Sequence, residues 1–181
     1  MTTPKLYNGQ IFEHKGLKFR VNYEDDQSAD YPWENSDGHG PVRKSAHAHG
    51  DHGSKAPGER PMNHAGCNEY QFYYDWAAAC KLARNDGWNV EPYEAPNRIA
   101  RAVQADFDFL SGYINDDWRY VGVIVELIED DEDGEYQVLD TESLWCVETF
   151  KDYHETIGYE LADELAVRAE SRVFPVAEMG I

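Results

Sequence analysis

The chain has 181 residues, 16 of them lysine or arginine and 35 aspartate or glutamate, for a net charge of −19. That sign speaks against direct binding of nucleic acid, whose phosphates are gripped by lysine and arginine, while the length suits one domain with a real core. No long apolar segment and no charged-then-apolar N-terminus is present, so neither a membrane span nor a signal peptide is expected.

The acid is polarised along the chain. Residues 1–68 hold 8 basic and 9 acidic side chains, residues 69–118 hold 4 and 9, and residues 119–181 hold 4 and 17. A surface built only for solubility would mix both signs. The three cysteines, Cys67, Cys80 and Cys146, have no framework spacing and cannot all pair, which fits a reducing cytoplasm.

In chain order, Lys5 to Phe12 is read as a short strand and Leu17 to Tyr23 as a clearer one, since it alternates apolar and polar residues. From Glu24 to Asn68 no period is sustained, and a long irregular loop is expected, with Tyr31-Pro32-Trp33 and Gly40-Pro41-Val42 anchored on the core. Order returns at Tyr70. A helix follows, with Asp75 as N-cap and Gly87 as its stop. The next helix is expected to begin at Pro96. Its apolar residues Ile99, Val103, Phe107, Leu110 and Ile114 recur on one face, turned toward a sheet.

Tyr120 to Leu127 is a β-branched, nearly continuous apolar run, and strand character resumes at Tyr136 to Leu139. Between them stand Glu129, Asp130, Asp131, Glu132, Asp133 and Glu135, with Gly134 supplying the turn. Phe150 to Arg172 reads as a third helix. Ile157, Leu161 and Leu165 lie about 40° apart around its axis, and Asp152, Glu155, Glu160, Asp163, Glu164 and Glu170 fall mostly on the other side. The expected fold is a single α+β domain over residues 1–181: an antiparallel sheet of three to four strands, about three helices, and the long loop of residues 24–68.

Three patterns bear on chemistry. His47-Ala48-His49-Gly50-Asp51-His52 matches the HxHxDH zinc signature of metallo-β-lactamase-type hydrolases, in which the metal activates water. It makes a zinc module or metal-dependent hydrolase on His47, His49 and His52 the alternative reading, but no apolar strand precedes the motif. The acidic turn puts Glu129, Asp131 and Asp133 at the first, third and fifth places of a calcium loop, yet a strand follows where that loop needs a helix. No glycine-rich phosphate loop and no GxSxG occurs. The expectation is a protein that is not an enzyme and needs no cofactor.

What remains is the carboxylate array. The acidic turn and the acid-faced helix together suggest a short duplex in charge, and hence a partner with a basic DNA-binding groove. Several blocks resemble a group of small acidic proteins of tailed bacteriophages: PWENSDGHGPV (Pro32–Val42), KAPGERP (Lys55–Pro61), YDWAAACKLARNDGW (Tyr74–Trp88), DDWRYVGVIVEL (Asp116–Leu127), DTESLWCVE (Asp140–Glu148) and GYELADEL (Gly158–Leu165). That resemblance implies the host bacterial cytoplasm and a DNA mimic that inhibits a host enzyme. DNA gyrase is the best candidate, and an anti-restriction mimic is the further alternative.

Overall fold

A computed structural model describes residues 4–35, 38–46, 55–64, 70–88, 97–131 and 133–173. The elements in chain order are β1 (Ile11–His14), β2 (Leu17–Asp25), α1 (Pro32–Asn35), β3 (Val42–Ala46), β4 (Glu59–Pro61), β5 (Tyr70–Asp75), α2 (Trp76–Asn85), α3 (Arg98–Ile114), β6 (Tyr120–Asp130), β7 (Tyr136–Glu148) and α4 (Tyr153–Val173). The fold is α+β with antiparallel sheets. It forms two compact units, one from Met1–Ala29 with Arg119–Ile181 and the other from Asp30–Trp118. The second is inserted in sequence between β2 and β6 of the first.

The discontinuous unit contains a four-stranded sheet in the order β1-β2-β6-β7, with α4 on one face. Lys15 and Gly16 join β1 to β2, both at positive φ (49° and 76°), the geometry of a tight two-residue hairpin. Every second residue of β6, namely Val121, Val123, Val125 and Leu127, is buried toward the helix. Phe12, Phe19, Val21 and Val147 join them from the neighbouring strands, and Ile157, Leu161 and Leu165 close the core from α4 as the spacing predicts. Directly after each of those three come Gly158, Ala162 and Ala166, small residues that let the helix sit close; a Cβ on Gly158 would stand 3.0 Å from Leu6.

The inserted unit has its own core. Its sheet runs β3-β5-β4, and Phe72 and Tyr74 of β5 pack with Met62, with Ala79 and Ala83 of α2, and with Val103, Leu110 and Ile114 of α3. The Asp75 carboxylate accepts from the Ala78 amide at 2.9 Å and caps α2 as predicted, and Gly87 follows the helix at φ +68°. Asp106 fastens the segment before β3 to α3. Its carboxylate accepts from His39 Nδ1–H at 2.6 Å, the Gly40 amide at 2.9 Å and the Tyr74 hydroxyl at 2.6 Å.

Several expectations need correction. The first strand lies at Ile11–His14, overlapping the expected Lys5–Phe12 only at its end, because the tight Lys15-Gly16 turn pairs His14 with Leu17. The stretch expected as an irregular loop holds β3 and β4, which flank β5 and so add a second sheet. No period marked β3, because it is held by contacts remote in sequence: the Lys44 amine lies 4.1 Å from the ring centre of Tyr70, and the Arg43 guanidinium 4.6 Å from that of Tyr73. Tyr31, Trp33 and Val42 do pack on this core, with Tyr31 stacked on Trp33. α3 is described from Arg98, and Pro96 lies outside the described residues.

Two outcomes follow from this packing. Leu165 is fully buried, so Leu165→Ala should cost about 2–5 kcal/mol in chemical denaturation. In the inserted unit, Arg43 grips Glu59 with two hydrogen bonds (2.8 and 2.7 Å) and the Ala56 amide adds a third (2.8 Å). Hydrogen bonding to Arg43 lowers the Glu59 carboxyl from 4.5 to about 2. A depressed folded-state value contributes stability above pH 4.5 that is lost as the pH falls toward 2. Glu59→Gln should flatten that part of the acid limb, read by denaturation midpoints across the window.

Candidate functional site

The predicted acidic residues all belong to the discontinuous unit, which holds 8 basic and 21 acidic side chains. Register decides which of them share an end. His14 pairs with Leu17 across the β1–β2 turn, and Lys18, directly after it, pairs with Ile128 at the end of β6 that leads into the acidic turn. The Asp163 carboxylate meets both His14 Nε2 and Lys15 Nζ at 2.6 Å. α4 therefore runs toward the acidic turn, and its C-terminal half, with Glu164 and Glu170, lies at the same end of the sheet. The helix dipole places its negative pole there too. Asp152 stands just before the helix and Glu155 in its first turn, roughly 27–32 Å from its last residue at about 1.5 Å per residue, and both belong to the opposite end.

The turn is built by one of its own carboxylates. Asp131 accepts from the Asp133 and Glu135 amides, each at 2.9 Å, while its backbone pairs with Glu135 and Gly134. Gly134 sits at φ +81°, where a side chain would be strained. This wrapping leaves Glu129, Asp133 and Glu135 pointing into solvent. Asp131 is thereby occupied with backbone, and Asp140, the acid in the twelfth place of the calcium pattern, lies 3.6 Å from Arg168. Among the described residues, no group of three or more His, Cys, Asp or Glu is arranged to hold a metal ion. His47, His49 and His52 of the zinc motif lie outside the described residues, as does Glu132.

The acids divide into two groups. Asp130 is bound by Lys18 (2.6 Å), Asp152 by Lys5 (2.8 Å) and Asp163 by Lys15 and His14, while Glu155 accepts from the Leu6 amide at 3.4 Å. Hydrogen bonding holds the Asp152 and Asp163 carboxyls below the usual carboxylate value, through Lys5 in one case and Lys15 with His14 in the other. The Lys18 amine is raised by its hydrogen bond to Asp130. These pairs tie the first strands to the last helix and turn. By contrast Glu129, Asp133, Glu135, Glu160, Glu164 and Glu170 form no ion pair among the described residues, and all six are exposed.

Comparisons with protein families, with curated proteins and with solved structures found no match. No helix among the described residues is long and apolar enough to cross a membrane.

Sequence reading missed how far β7 extends. It continues from Tyr136 to Glu148, past the expected Leu139, and the apolar run Leu144-Trp145-Cys146-Val147 carried that signal. Cys146, on this extended part of the strand, is exposed. Trp145 and Cys146 together oppose the single residue Gly122, a bulge that puts Cys146 at φ 60°. The Asp26 carboxylate holds the bulge by accepting from the Cys146 amide at 3.0 Å. The Trp145 ring lies over Gly122, where a Cβ would come within 2.6 Å of it.

Because Asp131 organises the turn, Asp131→Ala should release the amides of Asp133 and Glu135. Their hydrogen exchange should rise several-fold while α4 exchanges as before, an outcome residue-resolved NMR can read.

Proposed function

We propose that the protein is an acidic DNA mimic that occupies the basic DNA-binding surface of a host enzyme, DNA gyrase being the best candidate, and keeps DNA out. One observation carries this reading: the acidic turn and the C-terminal half of α4 lie at one end of the same sheet, and there Glu129, Asp133, Glu135, Glu164 and Glu170 are exposed and form no ion pair among the described residues. Such a cluster stays in water or meets a basic partner.

The spacing gives the argument a scale. Glu160 and Glu164 are one helical turn apart, about 6 Å along the axis, and alternate residues of an extended segment stand about 6.6 Å apart. Phosphates on one DNA strand rise about 3.4 Å each. Turn or helix alone therefore offers roughly half the linear charge of a strand, and the two acting together approach it. The long-range attraction speeds encounter and weakens with salt.

The test is a gyrase supercoiling assay with purified protein. Inhibition should weaken tenfold or more between 50 and 200 mM salt. It should also fall at least tenfold in the variant carrying Glu129→Lys, Asp133→Lys, Glu135→Lys, Glu160→Lys and Glu164→Lys, whose circular dichroism should match that of the native chain. Absence of inhibition, or inhibition indifferent to both salt and charge reversal, removes the reading.

A further inference from the structure

The inserted unit holds a cleft that the proposed function leaves unused. Its volume is about 410 Å³, and it lies along the C-terminal half of α3, between that helix and residues 61–64. Two asparagines fix its shape and spend their side chains doing so. Asn63 Nδ2 donates to the Tyr70 carbonyl at 3.1 Å, and its Oδ1 accepts from the Phe72 amide at 2.7 Å and from Gln71 Nε2 at 3.0 Å. Asn115 Nδ2 donates to the Met62 and Ser111 carbonyls at 2.8 and 2.7 Å, and its Oδ1 accepts from the His64 amide at 2.7 Å. Residues 61–64 are thereby clamped to β5 on one side and to the end of α3 on the other.

The cleft has the chemistry of a cation site. Asp108 and Asp117 both line it, both are exposed, and neither forms an ion pair among the described residues. The Asp108 carboxylate accepts from a neutral partner, Gln104 Nε2, at 2.7 Å. The Asp117 amide donates to the Gly112 carbonyl at 2.8 Å, and a Cβ on Gly112 would stand 3.6 Å from that of Asp117. Asp117 therefore lies over Gly112, one helical turn from Asp108, about 6 Å along the axis. Like charges one turn apart repel, and the C-terminal pole of α3 adds to the negative potential. Ser111, in the wall between them, has its hydroxyl oxygen buried without a hydrogen-bond partner. A buried polar group left unspent is costly.

One ammonium or guanidinium answers this arrangement, because bonds of about 2.8 Å to a carboxylate on each side span a gap of that order. Pro61, Met62 and Phe107 also line the cleft, an apolar surface against which an aliphatic stem can lie. A bare metal ion suits it less, since among the described residues no group of three or more His, Cys, Asp or Glu is arranged to hold one. We infer that this cleft binds an organic cation, a guanidinium or primary ammonium on an aliphatic stem, between Asp108 and Asp117. The site goes beyond the mimicry reading and does not depend on it, as no residue of the acidic turn or α4 lines it.

The probe is N-acetylarginine methylamide, titrated into the full chain and followed by residue-resolved NMR. The salt is about 150 mM, where charges more than about 8 Å apart are largely screened. Amides of residues 61–64 and 108–117 should shift and saturate. The neutral isostere N-acetylcitrulline methylamide should bind at least tenfold more weakly. So should the arginine probe to a variant carrying Asp108→Asn and Asp117→Asn, whose circular dichroism should match that of the native chain. The five lysine substitutions given above should leave binding within twofold, because they alter only the other unit. Agmatine, the same guanidinium on a stem ending in a free ammonium, separates two sources of the cation. Binding of agmatine alone identifies a free small molecule, and comparable binding of both probes identifies a cation that a protein side chain can supply. The proposal is overturned by equal binding of the citrulline isostere, by unchanged binding to the asparagine variant, or by shifts confined to the acidic turn and α4. The same shifts produced by magnesium chloride alone would also overturn it.

Discussion

The pairing of β2 with β6 is the constraint on which the discontinuous unit depends. Eight consecutive residue pairs, from Lys18–Ile128 to Asp25–Val121, join strands separated in sequence by the whole inserted unit. Arg20 and Glu126, 106 positions apart, meet at 2.6 Å within this ladder. Contacts so remote must overcome loop-closure entropy before they contribute, although that cost grows only logarithmically with length. The inserted unit has its own sheet and core, so folding of residues 30–118 would shorten the effective loop that β2 and β6 must close.

Once β2 and β6 are neighbours, much of the charge pattern follows. β1 joins β2 through the Lys15-Gly16 turn, bringing His14, Lys15 and Lys18 to the end of the sheet where the acidic turn begins. These residues, with Lys5, engage Asp130, Asp152 and Asp163. Residues 1–29 contain as many acidic side chains as basic ones, so they fasten the last third without neutralising it. The surplus negative charge stays on the turn and on the outer face of α4. Exposed pairs of this kind contribute little to stability individually; their larger effect is to determine which carboxylates remain open to a partner.

β7 shows how local irregularity and exposure combine. Its bulge gives Cys146 a left-handed backbone and Trp145 a seat over Gly122, which has no side chain to obstruct the ring. The strand thus carries apolar surface on an edge that no described strand covers, beside a turn whose carboxylates face water.

By itself the sequence determined what depends on residues a few positions apart. The valine run of β6, the Ile157–Leu161–Leu165 stripe, the Asp75 cap and the Gly134 turn are all local, and each holds in the folded chain. Tertiary structure alone decided that β3 and β4 would flank β5, since those strands have little period of their own and are held by partners remote in sequence. It also decided which acids are neutralised. Asp130 and Asp133 are equivalent carboxylates in the same acidic run, yet Lys18 reaches the first and no described cation reaches the second. The reason is physical: ion pairing depends on which strands become neighbours, and here that is set by closure of β2 onto β6 across an inserted unit.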